Sequence, residues 1–176
     1  MEITNGLKNT NPKEFGHKTI VIDGLNEAYT RLRDKVLSDF KVKFENEGEL
    51  GYGKGASLIR DQWRQWFLDL RAVSRQGFGV VLTGHESTIS FESNGVTYNK
   101  RVPYIDGSKT EKAWDVIKPA VDMVIHAYKH QDKDGLKHMM RLKGNQLVEA
   151  ASTLESLPDV APFSYQLLEK EYLKGN

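Results

Sequence analysis

Asp23 closes the apolar run Thr19-Ile20-Val21-Ile22 and is followed directly by Gly24. The pattern reads as a buried strand that delivers one carboxylate at its C-terminal end. In phosphate-handling α/β folds such a carboxylate holds Mg²⁺ beside a Gly-rich loop whose backbone N–H groups cradle a phosphate. That loop needs a strand and a helix of its own upstream, yet only 22 residues precede Asp23. The expectation is therefore a cation-holding group without its phosphate-holding companion. A second run, Val80-Val81-Leu82-Thr83, ends at Gly84-His85-Glu86. Strand, helix and strand at this spacing predict a parallel βαβ unit with a right-handed crossover. Asp23 and the Thr83 to Glu86 tip then open on the same edge of the sheet, where ligands bind.

Other arrangements resemble known chemistry and lack parts of it. Gly48-Glu49-Leu50-Gly51-Tyr52-Gly53-Lys54-Gly55 matches G-x-x-x-x-G-K, but Gly55 stands where Ser or Thr must ligate Mg²⁺, and no buried strand leads into it. Pro103 to Thr110 carries Lys109-Thr110 at the right place, but Pro103 and Ser108 replace the two glycines. Asp132-Lys133-Asp134-Gly135 has two acidic residues at calcium-loop spacing without the later ligands, so it reads as a hairpin turn. His126 and His130 are four apart, which suits a metal pair on a helix; their neighbours Met123-Val124-Ile125 and Tyr128 read as a strand instead, favouring packed or solvated imidazoles.

The elements that must position these groups follow from periodicity. Leu25, Ala28, Tyr29, Leu32, Val36 and Leu37 predict a helix from about Leu25 to Phe40. Gly48, Gly51, Gly53 and Gly55 mark a mobile loop, and Ile59, Trp63, Trp66, Phe67, Leu70 and Val73 give a second helix, from about Ala56 to Gln76, a core-facing stripe. Asn94-Gly95 predicts a hairpin between Ile89–Glu92 and Val96–Tyr98. Trp114 to Val121 reads as helical with an interruption at Pro119, Val121–Tyr128 and Lys137–Leu142 as strands around Asp132–Gly135, and Tyr165–Leu173 as a closing helix.

With 176 residues, 39% of them hydrophobic and 28% charged, the chain is expected to form one domain, with a polar segment over 1–17 and a tail over 157–176. Cysteine is absent, which excludes disulfides, thiolate metal sites and a cysteine nucleophile, and fits a cytoplasmic protein. Neither a signal peptide nor a membrane-spanning run is evident, so no membrane partner is expected. The net charge of +1 means that any nucleic-acid binding must come from a local patch.

Two family resemblances arise from these residues. Ile22-Asp23-Gly24-Leu25-Asn26 resembles the first strand of PIN and NYN-type nucleases, where several carboxylates hold Mg²⁺ for phosphodiester cleavage; here only Glu86 and Asp106 offer themselves as further ligands. The ordered set of Ile22-Asp23, Val80 to Glu86, Gly107-Ser108-Lys109 and Pro119 to Val124, with the closing Leu157-Pro158 segment, resembles the C-terminal half of phage-encoded RecA-like P-loop ATPases. These are AAA-type nucleotide-binding proteins that include single-strand annealing recombinases, and the likeness runs from about Lys18 to Leu168. It implies an α/β fold with a RecA-like mixed sheet, flanking helices and C-terminal β-hairpins, truncated before the P-loop unit.

By that resemblance Asp23 is similar to the Walker B aspartate that holds Mg²⁺ against ATP. Thr83 and His85 resemble the sensor at the next strand tip, with Glu86 orienting His85, and Lys109 resembles a basic residue that reaches a neighbour's nucleotide. The hairpin Ser90 to Lys100, with Tyr98, Lys100 and Arg101, is the implied contact for single-stranded DNA. Without a Walker A lysine, independent ATP hydrolysis is not expected. The implied partner is a P-loop-bearing protein or a second copy of the chain. A non-catalytic scaffold or regulatory role remains the further alternative.

Overall fold

A computed structural model describes residues 6–105 and 113–174. The fold is mixed α/β, with several small sheets and flanking helices. Two compact units divide the chain: residues 1–85 with 104–120, and residues 86–103 with 121–176.

The first unit opens with a short helix α1 (Pro12–Phe15), which Asn11 caps by accepting from the Lys13 N–H at 3.0 Å, with Pro12 pre-set for the first helical position. Strand β1 (Thr19–Ile22), helix α2 (Leu25–Asp39), helix α3 (Lys54–Arg75) and strand β2 (Gly79–Leu82) follow. β1 and β2 pair in parallel, with Ile20 opposite Val80 and Ile22 opposite Leu82, so the expected βαβ order is present with two helices in the crossover. Helix α4 (Ala113–Ile117) runs into a 3₁₀ turn at Lys118–Ala120, where Pro119 stops the α-helix.

The apolar stripe of α3 is core along its length, since Ile59, Trp63, Trp66, Phe67, Leu70 and Val73 are all buried. Tyr29 of α2 meets Trp63 edge-on at 5.1 Å, and Trp63 stacks on Trp66 at 4.9 Å. Leu7, Val73, Phe78 and the half-buried Ile20 form a second cluster beneath the sheet. One face of the β1–β2 pair is therefore packed. On the other, Val21 and Val81 sit directly opposite each other and are 57% and 46% exposed. Parallel sheets are normally covered on both faces.

The Gly-rich stretch differs from the mobile loop expected of it. Gly48–Leu50 forms a 3₁₀ turn, Leu50 is buried, and a Cβ on Gly55 would lie 2.0 Å from the Glu45 carbonyl oxygen. Gly55 is thus demanded by close backbone packing. The glycines serve approach between chain segments, which composition alone does not separate from looseness.

The second unit holds the hairpin β3 (Glu86–Ser93) and β4 (Val96–Pro103), turning at Asn94-Gly95 with φ of 53° and 73° as a type I′ turn requires. It continues with β5 (Met123–Val124), β6 (His126–Asp132), β7 (Gly135–Arg141), β8 (Ala151–Ser152), β9 (Val160–Pro162) and helix α5 (Tyr165–Lys174). The β6–β7 hairpin turns where expected, with Asp134 N–H donating to Asp132 Oδ1 and Lys137 gripping the same carboxylate at 2.6 Å. β9 adds to the far side of β7. Met140, Leu142, Leu157 and Ala161 are the core of this unit, and Leu167 and Leu168 of α5 pack on it.

At the C-terminal turn of α5, the Lys174 ammonium and then the Ser156 hydroxyl hold the Glu171 carboxyl below its ordinary pKa. A depressed carboxyl contributes stability above its unfolded pKa that is lost as pH falls through the folded value. Acidification from neutrality through the ordinary carboxylate range is therefore expected to loosen the last turn of α5, seen as lower amide protection factors there once the intrinsic exchange rate at each pH is divided out. Glu171→Gln removes that pH dependence, and a pH profile unchanged in the variant refutes the assignment.

Candidate functional site

The C-terminal edge of β1–β2 is knitted by the residues that sequence reasoning selected. Thr83 N–H donates to the Ile22 carbonyl at 2.9 Å, and Leu25 N–H donates to the Thr83 carbonyl at 2.8 Å. Gly24, at φ 94°, turns the chain from strand into α2 and donates its N–H to Thr83 Oγ1 at 3.1 Å. The Thr83 hydroxyl then donates to Asp23 Oδ1 at 2.5 Å. Asp23 and Thr83 are both exposed. The hydroxyl fixes one carboxylate oxygen and leaves the other free among the described residues. One exposed, oriented carboxylate suits Mg²⁺, which keeps several waters and takes one or two carboxylates with phosphate oxygens.

His85 lies beyond Thr83 with its side chain exposed, and its carbonyl accepts from the Tyr104 N–H at 2.8 Å. Lys109 lies outside the described residues, as does Asp106. Among the described residues no group of three His, Asp or Glu converges as a metal cluster. The Gly48 to Lys54 stretch offers no open cradle: Leu50 N–H bonds to Glu47, Gly51 N–H to Gly48 and Lys54 N–H to Gly51 within the loop.

The remaining candidates belong to the second unit. Glu86 Oε2 lies 2.6 Å from His126 Nε2, and Glu86 Oε1 lies 3.9 Å from Arg101 Nη1. An ionised carboxylate only accepts, so Nε2 of His126 carries the proton. Glu86 is thus engaged by an imidazole forty positions away in the chain, where the sequence reading gave it to its neighbour His85. Tyr98 stacks on its cross-strand partner Phe91 at 5.5 Å and 22°, leaving an aromatic pair on the hairpin. Lys100 forms an ion pair with Glu149, which is 8% exposed, so its cation is committed inside the unit. Arg101 remains an exposed cation, and its backbone exchanges hydrogen bonds with Leu147 and Glu149.

Sequence reasoning left His126 as a packed or solvated imidazole and did not select Arg141, its register partner on β7. The alternation from His126 to Arg141 carried the signal, since both fall on one face once the turn at Asp132–Gly135 is fixed.

A parallel strand pair presenting an oriented aspartate and a threonine hydroxyl at its C-terminal edge defines an α/β domain of the kind that handles ligands at strand tips. A family model described as an AAA domain matches residues 5–154, and the chain belongs to that family. The family is of AAA, P-loop-related type, which makes nucleotide binding the broad functional class of the chain. Comparison with curated proteins and with solved structures returns no match. Among the described residues no helix is long and apolar enough to cross a membrane.

Proposed function

We propose that the chain supplies the cation-holding half of a RecA-like Mg·ATP site and works in phage DNA recombination or replication. The observation that carries this reading is the hydrogen bond from Thr83 to Asp23 at the tips of two parallel strands. Asp23 is the group that holds Mg²⁺, Thr83 keeps its carboxylate oriented, and the exposed His85 is placed beyond the tip to read the outermost phosphate. Bound Mg²⁺ would neutralise charge on the phosphates. The backbone donors that cradle phosphate come from a further strand–loop–helix unit, in a partner or a second copy. The exposed Val21–Val81 face and the two-stranded extent of the parallel sheet support that addition, because such a sheet is stable when extended and covered. The hairpin β3–β4 presents Phe91–Tyr98 and Arg101 for single-stranded DNA, a combination that suits bases and phosphates.

Isolated chain titrated with Mg·ATP in a calorimeter is expected to give weak binding or none, and no phosphate release. Saturable micromolar binding, or ATPase activity abolished by Asp23→Ala, overturns the half-site reading.

A further inference from the structure

We infer that the face of the β6–β7–β9 sheet that carries Tyr128 and Arg141 is a contact surface for single-stranded nucleic acid, centred on those two residues. The inference rests on the nucleic-acid part of the proposed function and places a principal contact where neither family resemblance nor the hairpin put it. Register sets His126 opposite Arg141, Tyr128 opposite Met139 and His130 opposite Lys137, so these six side chains share one face of the sheet. The opposite face carries Met140 and Ala161, which belong to the core beneath α5. The face that carries Tyr128 is thus turned away from that core; on it His130 and Lys137 are exposed, and His126, Tyr128, Met139 and Arg141 are half-buried.

Its composition is not that of a plain solvated sheet face, which alternation fills with Thr, Lys and Glu. The rings of His126 and Tyr128 lie nearly parallel, 5.5 Å apart at 16°. The Glu86 carboxylate holds the imidazole from its Nε2 edge, which fixes the ring. Arg141 is half-buried, and among the described residues its guanidinium has neither a carboxylate nor a hydrogen-bond partner. Two other cations of this unit are committed, Lys137 to Asp132 and Asp134 and Lys100 to Glu149. A partly desolvated guanidinium without an acceptor, one strand across from a fixed aromatic pair, matches a phosphate next to an unstacked base. A duplex hides its base faces, so the surface selects single strands.

The test uses the full chain and a fluorescein-labelled oligothymidine, read by anisotropy and by ultraviolet crosslinking with peptide mapping. Arg141→Gln and Tyr128→Leu are each expected to weaken binding roughly tenfold, with unchanged far-UV circular dichroism, and crosslinks are expected within residues 126–141. Should Tyr128→Leu fail to fold, Arg141→Gln and the wild-type crosslinks decide alone. Wild-type affinity in Arg141→Gln, with crosslinks confined to residues 90–101, overturns the inference and leaves the hairpin contact standing. No measurable binding by the wild-type chain overturns both.

Discussion

Trp63→Ala is expected to lose about 3–5 kcal/mol of stability, the range for deleting a buried aromatic from a core that cannot collapse around the gap. Trp63 is fully buried and is the hub of its cluster, stacked on Trp66 and edge-on to both Tyr29 and Phe67. Its Nε1–H donates to the Ala113 carbonyl at 3.1 Å, so the same ring ties α4 to α3. Removing it forfeits packing from α2, α3 and α4 together and strands a carbonyl. Trp63→Phe keeps most of the ring volume and loses the hydrogen bond, for a cost of about 1–2 kcal/mol. Urea unfolding followed by circular dichroism measures both. A loss below about 1 kcal/mol for the alanine variant would show that the cluster is not the core of the first unit.

The first unit was the more legible in sequence, and the reason is period. The helix stripe from Ile59 to Val73 keeps one phase over four turns, so its buried face is all but determined before any tertiary contact is known. The runs Thr19–Ile22 and Gly79–Leu82 are short, β-branched and bounded by Gly or Asp, which marks them as strands. The second unit hid more. β8 and β9 have two and three residues, too few for alternation to register, and they exist because a neighbouring strand offers hydrogen bonds. β3 begins at Glu86, three positions before the apolar alternation makes it visible.

The candidate site divides in the same way. Asp23 and Thr83 each sit at the end of a recognisable strand, and parallel pairing brings the ends together without further information. Glu86 could not be assigned from its neighbours, because its partner is chosen by the register of a strand forty residues later. Local order along the chain says which residues reach an edge; it does not say which of them pair across strands.

Lys100, a basic residue in an aromatic hairpin, takes its role from the carboxylate it meets. The Glu149 carboxylate beneath it is nearly inaccessible to water, and a charge so placed requires a counter-charge. Lys100→Met is therefore expected to cost about 3 kcal/mol, the lower end of the range for breaking a buried ion pair. A residue serving only to contact phosphate from the surface would cost less than about 0.5 kcal/mol. The double variant Lys100→Met/Glu149→Leu removes the buried charge as well and is expected to recover most of the loss, since apolar replacement of both partners is often neutral. Arg101, beside it on β4 but exposed, is the opposite case: Arg101→Gln leaves stability within about 0.5 kcal/mol. Thermal melts of the wild-type chain and these three variants separate the two roles. If Lys100→Met melts with the wild-type chain while losing nucleic-acid affinity, the ion pair is incidental and Lys100 belongs to the binding surface. If it melts early and the double variant does not, the loss is that of leaving the Glu149 carboxylate uncompensated, Lys100 is committed to it, and the nucleic-acid contacts must come from the side chains that this pairing leaves free.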